Sequence, residues 1–308
     1  MGEVNSTMGQ AKVAKAMFEA KYYRGSVLEV TDWEPKSMKI PKLEQITLKQ
    51  IKLGSFNGAI VFVVSTDCSS DVEAICKIYD DMLSPSTLRC STGDGRNSLG
   101  QRLITGAYAF KEEKPVYERL RSKPEIIQGI TPEYYGHGKI KTGSGDEWSI
   151  ILIEHVCGKT LDQVDPAKLE RDQRRVIMRK LIEADSDIMY YGRVVHKDLA
   201  PRNVIVETRT VHSGGNETEE IPEDPRVCLI DFVNSVFLEK AKNGRLWNPI
   251  FRWSWKWEEW AADESGAGGW LDRDDAENWM WEEWGKGKPE KGYRAVEKDD
   301  VIKVCGSL

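Results

Sequence analysis

A chain of 308 residues that sets 44 Lys and Arg against 50 Asp and Glu carries a formal net charge of −6, with 40% hydrophobic and 31% charged residues. That length and balance fit a globular protein of one large domain or two lobes. They argue against a nucleic-acid partner, which would call for a basic block. The six cysteines include no Cys-x-x-Cys pair. They read as reduced thiols of a cytoplasmic protein, neither a disulfide frame nor a zinc site. The longest apolar run, Ala59 to Val64, is far too short to cross a bilayer, so no stable membrane insertion is expected. Met1-Gly2 and Cys305-Gly306-Ser307-Leu308 match lipidation templates only formally, because Glu3, Gly306 and Ser307 suit them poorly.

Residues 1–45 mix short charged and apolar stretches, with Pro35 and Pro41 near their end, and are expected to form an N-terminal extension with a helix over 10–22. From Ile46 the pattern changes. Ile46 to Leu53 roughly alternates, Gly54-Ser55-Phe56-Asn57-Gly58 turns, and Ala59 to Ser65 is apolar, which predicts a hairpin. A third strand is expected over Val72–Tyr79. The Ser-, Gly- and Thr-rich stretch 83–105 reads as an exposed loop. A helix over 108–121, a strand near 134–138 and a strand over 148–156 follow, ending at Cys157-Gly158.

Helical spacing then takes over from Lys159 to Tyr191, with Leu169, Val176, Ile177, Leu181, Ala184 and Ile188 on one face. After it come His196-Lys197-Asp198-Leu199-Ala200-Pro201-Arg202-Asn203 and the β-branched Val204-Ile205-Val206. A second apolar run, Cys228-Leu229-Ile230, ends in Asp231-Phe232. Between them, residues 207–226 combine Ser213-Gly214-Gly215, five glutamates and two prolines, a composition that reads as a flexible insertion. An Asp able to accept a hydroxyl proton, with an Asn and an Asp able to ligate magnesium, is the equipment of phosphoryl transfer from ATP.

These residues, in this order and context, resemble the protein-kinase-like superfamily. The resemblance implies an α+β, bilobal protein-kinase-like fold: an N-lobe antiparallel sheet plus one helix over 46–156, a hinge, and a mainly helical C-lobe over 157–308. It implies ATP and Mg2+ as cofactors. Asp198 becomes the catalytic base, and Asn203 and Asp231 the metal ligands. Lys77, in Ala74-Ile75-Cys76-Lys77, corresponds to the strand lysine that reaches the α- and β-phosphates. Its carboxylate partner lies on the helix 108–121, with Glu113 aligning best and Glu112 or Glu118 as alternatives, since Pro115 would put Glu113 near the helix start. Gly54, Ser55, Gly58 and Ile60 correspond to the turn over the phosphates, and backbone groups at Glu154 and Val156 to the adenine contacts. His196 is expected to brace the loop by hydrogen bonding.

The chain departs from protein kinases in two ways. Val233 stands where they have the glycine of Asp-Phe-Gly, and no Ala-Pro-Glu follows. That shifts the resemblance toward the aminoglycoside- and choline-kinase-like branch and toward kinase-like proteins of filamentous fungi. The implied acceptor is therefore a small-molecule hydroxyl substrate ahead of a protein substrate. A pseudokinase that binds nucleotide or a partner is the alternative, and a protein Ser/Thr or Tyr kinase a third. Nine tryptophans crowd between Trp247 and Trp284. They are expected to pack a core, with a substrate platform for a cationic or aromatic acceptor as the other reading.

Overall fold

The computed structural model describes residues 22–51, 59–81, 105–142, 145–213, 216–238, 248–262, 269–297 and 299. The chain divides into two compact units, one drawn from Met1–Arg121, Pro132–His155 and Asp231–Asn234, the other from Ser122–Thr131, Val156–Ile230 and Ser235–Leu308.

The first unit is built on six antiparallel strands: β1 (Val27–Pro35), β2 (Gln45–Ile51), β3 (Ile60–Thr66), β4 (Ser69–Tyr79), β5 (Tyr134–Lys141) and β6 (Glu147–Glu154). They close into a barrel in the order β1-β2-β3-β4-β6-β5, with β5 returning to β1. The alternation of a strand decides which side chains fill it. Ile46 and Leu48, Phe62 and Val64, Ala74, Cys76 and Ile78, and Ile150 and Leu152 belong to one buried apolar cluster. The seam between β1 and β5 needs a glycine at 136. Its φ is +152°, and a Cβ there would meet the Glu34 carbonyl oxygen at 2.5 Å.

On β4, residues 74, 76 and 78 fill the barrel, so 75, 77 and 79 face outward. Helix α1 (Gly106–Arg121) covers this outward face. Its buried residues, Gly106, Ala109, Glu113, Val116, Tyr117 and Leu120, recur at three- and four-residue steps. Pro115 lies inside the helix and not in its first turn, as its spacing suggested.

The second unit holds α2 (Pro124–Ile127), β7 (Gly158–Thr160), α3 (Arg171–Asp187), β8 (Val194–Val195), β9 (Val204–Glu207), β10 (Arg209–Ser213), β11 (Asn216–Glu220), β12 (Val227–Leu229), β13 (Val236–Phe237), α4 (Pro249–Trp253) and α5 (Ala276–Trp284). Strands pair as β12-β9-β7, β10-β11 and β13-β8. Trp253, Trp260, Trp270, Trp279 and Trp284 are all buried, so core packing accounts for them, while Trp255 is exposed. Among the described residues, no helix is long and apolar enough to cross a membrane.

This architecture corrects the expected bilobal protein-kinase-like fold with a mainly helical second lobe. The sheet closes into a six-stranded barrel. Among the described residues of the second unit, seven strands accompany one long α-helix, α3. The physical reasons are local. β1, inside the stretch read as an N-terminal extension, closes the sheet through partners that only the fold supplies. Strands of two or three residues, such as β7, β8 and β13, are too short to show a period. The insertion 207–226 forms the β10-β11 hairpin through main-chain pairing in which Val211 is the one apolar residue, too little to leave an apolar signature. The expected helix over 10–22 lies outside the described residues except for Tyr22, as does most of the expected loop 83–105.

Gly106 starts α1 against the end of β4. A Cβ there would stand 2.7 Å from the Tyr79 carbonyl carbon, inside any van der Waals contact. Gly106→Ala is therefore expected to destabilise the protein by about 1–3 kcal/mol through overpacking. Denaturant unfolding checks this, and an unchanged midpoint would contradict the close packing.

Candidate functional site

The outward parity of β4 sets Lys77 and Tyr79 two residues apart on one face, under α1. Lys77 Nζ lies 2.6 Å from the Glu113 carboxylate and 3.0 Å from Asp231 Oδ1. All three groups are sequestered, with side chains 5%, 0% and 7% exposed. Tyr79 Oη donates to Glu113 Oε2 at 2.7 Å, and the Phe232 main-chain N–H donates to Glu113 Oε1 at 3.2 Å. Lys77, Glu113 and Asp231, separated by 36 and 154 residues from the lysine, thus meet in one buried cluster. Glu113 takes the position beside the lysine, because α1 begins at Gly106 and carries it two turns in. Glu112 is not among the buried residues of that helix, and Glu118 instead lies near Lys114 and Lys36.

The electrostatics follow from burial. Desolvation pulls the Lys77 ammonium down, but the charges of Asp231 and Glu113 outweigh it and the net direction is up. Desolvation, reinforced by the Asp231 charge, pushes the Glu113 carboxyl above the ordinary range, although Lys77 and Tyr79 oppose it. Asp231 also has a left-handed backbone, φ +63°. Asp tolerates that region better than most residues, at a cost of about 1–2 kcal/mol. Val233 is not among the positive-φ residues and so sits in ordinary backbone.

In the second unit the loop 196–203 is held at both ends by strand pairing, β8 with β13 and β9 with β12. Pro201–Asn203 forms one 3-10 turn, closed by Asn203 N–H to the Ala200 carbonyl at 2.8 Å. Asn203 Nδ2 donates to the Asp198 carbonyl oxygen at 2.8 Å and to Asp198 Oδ2 at 3.2 Å. Arg202 Nη2 donates to Asp198 Oδ1 at 2.5 Å. Both oxygens of the half-buried Asp198 carboxylate are therefore oriented. The main chain of Ile230 is held twice: its N–H donates to the Asn203 carbonyl, and its carbonyl is 2.9 Å from His196 Nε2. His196 thus makes a bracing contact, as its place in the motif suggested. Asp231 is the next residue along the chain.

The remaining expected positions are less informative. Ile60 begins β3 and is half-buried. Glu154 ends β6, its N–H already donating to the Glu133 carbonyl, and Val156 is buried. Gly54, Ser55 and Gly58 lie outside the described residues.

Two features escaped the sequence reading. Tyr79 could have been found, because it is two residues past Lys77 on the same strand face. The buried Arg252–Asp185 ion pair, in which Trp253 Nε1 also donates to Asp185 Oδ2 at 3.1 Å, joins α4 to α3 across 67 residues and left no local signal.

Of the two expected magnesium ligands, Asp231 in the first unit offers a carboxylate, and Asn203 in the second offers an amide oxygen, its nitrogen being engaged by Asp198. These are hard oxygen donors of the kind magnesium takes. Among the described residues, no group of three or more His, Cys, Asp and Glu forms a cage that could hold a metal by itself. No protein-family model matches the chain, and no curated protein matches it.

Removing the lysine strips two buried carboxylates of the ammonium they share. Lys77→Met is expected to cost about 3–5 kcal/mol at pH 8. The sign with pH follows from linkage: carboxyls whose folded pKa is raised hold protons that the unfolded chain has released, so the folded state loses stability as pH rises. The loss is therefore expected to shrink at pH 5. Urea unfolding at both pH values measures it, and an equal loss at both would contradict the shared-lysine cluster.

Proposed function

We propose that the chain is an ATP- and magnesium-dependent phosphotransferase that moves the γ-phosphoryl group to a hydroxyl, with a small molecule as acceptor. The observation that carries this reading is the buried contact of Lys77 with Glu113 and Asp231. Side chains far apart in sequence, chosen for one chemistry, come together in that contact. Lys77 neutralises phosphate charge, and Glu113 keeps its ammonium from wandering. Asp231 and Asn203 would each offer the metal an oxygen atom. Magnesium, when bound, supplies charge neutralisation for the transferring phosphoryl group. Asp198 orients the acceptor hydroxyl and takes its proton, with Arg202 and Asn203 fixing the carboxylate. The assignment rests on these residues and their contacts, not on the fold class.

The protein is assigned to the cytoplasm, an expectation supported by the free thiols of Cys68, Cys76 and Cys157. No nucleic-acid partner is proposed, in keeping with the net charge of −6.

A second reading has one observation in its favour. The ion pair of Arg202 with Asp198 occupies an oxygen that a base needs for its substrate. In that reading the chain binds nucleotide and signals by interaction, with little turnover.

The test is ADP release from ATP and magnesium across a panel of hydroxyl metabolites. Asp198→Asn is expected to lower kcat by about 10²–10⁴-fold while nucleotide binding persists. Nucleotide binding without turnover on any acceptor would favour the second reading, and no nucleotide binding at all would overturn both.

A further inference from the structure

We propose that Tyr79 is a positioning residue of the phosphotransfer site: it docks α1 onto β4 and thereby holds Glu113 on Lys77. The inference rests on the phosphotransferase reading and adds a residue that the sequence motif does not contain.

Three contacts at successive turns of one helix face carry it. The Tyr79 main chain receives Gly106, where a Cβ would come within 2.7 Å. Its ring meets Phe110 edge-on, with centroids 5.4 Å apart. Its hydroxyl donates to Glu113 Oε2 at 2.7 Å. Residues 106, 110 and 113 lie four and three apart, so one tyrosine reads a full stripe of α1. Tyr79 is only 2% exposed, which shields its hydroxyl from bulk solvent. Burial, strengthened by the Glu113 charge, raises the phenol well above its ordinary pKa, so the group remains a donor at physiological pH.

The consequence concerns what happens when Asp231 changes partner. Lys77 is shared between Glu113 and Asp231. A metal ion held by Asp231 would compete with the ammonium for that carboxylate. Lys77 would then lean more heavily on Glu113 for its direction. A carboxylate with a single partner could follow the lysine, and one pinned by Tyr79 and by the Phe232 N–H cannot. Tyr79 therefore converts a flexible ion pair into a fixed one.

Tyr79→Phe keeps the ring and removes only the hydroxyl. It is combined with Glu113→Gln in a double-mutant cycle, read in two independent ways. In kinetics, Tyr79→Phe is expected to lower kcat/KM for ATP by about tenfold, the scale of a hydrogen bond to a charged group, and to have little effect once Glu113 is Gln. In thermal unfolding without nucleotide, the two substitutions are expected to be non-additive by about 2–4 °C. A purely structural tyrosine would lower the melting midpoint and leave the ATP kinetics unchanged, and that result overturns the proposal. If the wild-type protein neither binds nor turns over ATP, the phosphotransferase reading falls, and the role in phosphotransfer falls with it. The unfolding cycle still decides the Tyr79–Glu113 coupling: non-additive midpoints uphold it and additive midpoints refute it.

Discussion

A lysine ammonium taken out of water needs counter-charge within hydrogen-bond distance, and Lys77 draws it from two carboxylates at once. That requirement constrains the whole first unit. Lys77 has to face outward from the barrel, α1 has to bring Glu113 over it, and the chain has to return at Asp231–Asn234 to supply the third charge. Each demand is met by a specific device. Strand parity turns Lys77 outward, Gly106 lets the helix close on β4, and the left-handed residue at 231 aims a carboxylate at the ammonium. Loss of any one weakens the pairing of a buried charge.

The second unit shows the same economy of fixed points. Both hydrogen-bonding groups of the Ile230 main chain are engaged, one by the Asn203 carbonyl and one by His196. Strand pairs as short as two residues hold the loop 196–203 at its ends. Inside the loop, the Asn203 nitrogen anchors the candidate base and leaves its oxygen for other work. The tryptophan-rich segment contributes packing: five of its indoles are buried, and Trp253 donates to the same Asp185 carboxylate that binds Arg252.

What was legible in the sequence follows from where the information resides. Lys77, Asp198, Asn203 and Asp231 stand in short ordered motifs, where residue type and spacing are the signal. Glu113 could be aligned by helical spacing even though Pro115 pointed to a helix start in the wrong place, because a buried face repeats over several turns and one proline does not erase it. The hairpin β2-β3 and the strand β4 were visible because they alternate. The barrel closure was not. β1 is a strand by virtue of two partners, and its residues 31–35 even include a bulge and a proline. The β10-β11 hairpin pairs Val211 among polar residues and so offers no hydrophobic alternation to read. Arg252 and Asp185 meet only in the folded chain.

The central claim is that the ammonium shared by Glu113 and Asp231 belongs to a nucleotide-phosphate site. An acyl-phosphate derivative of ATP transfers its acyl group to a lysine lying beside the bound phosphates. Treating the folded protein with this reagent and mapping acylated peptides by mass spectrometry tests the claim directly. The account predicts that Lys77 is modified ahead of the exposed lysines and that excess ATP with magnesium protects it. Modification spread over surface lysines, indifferent to ATP, would contradict it.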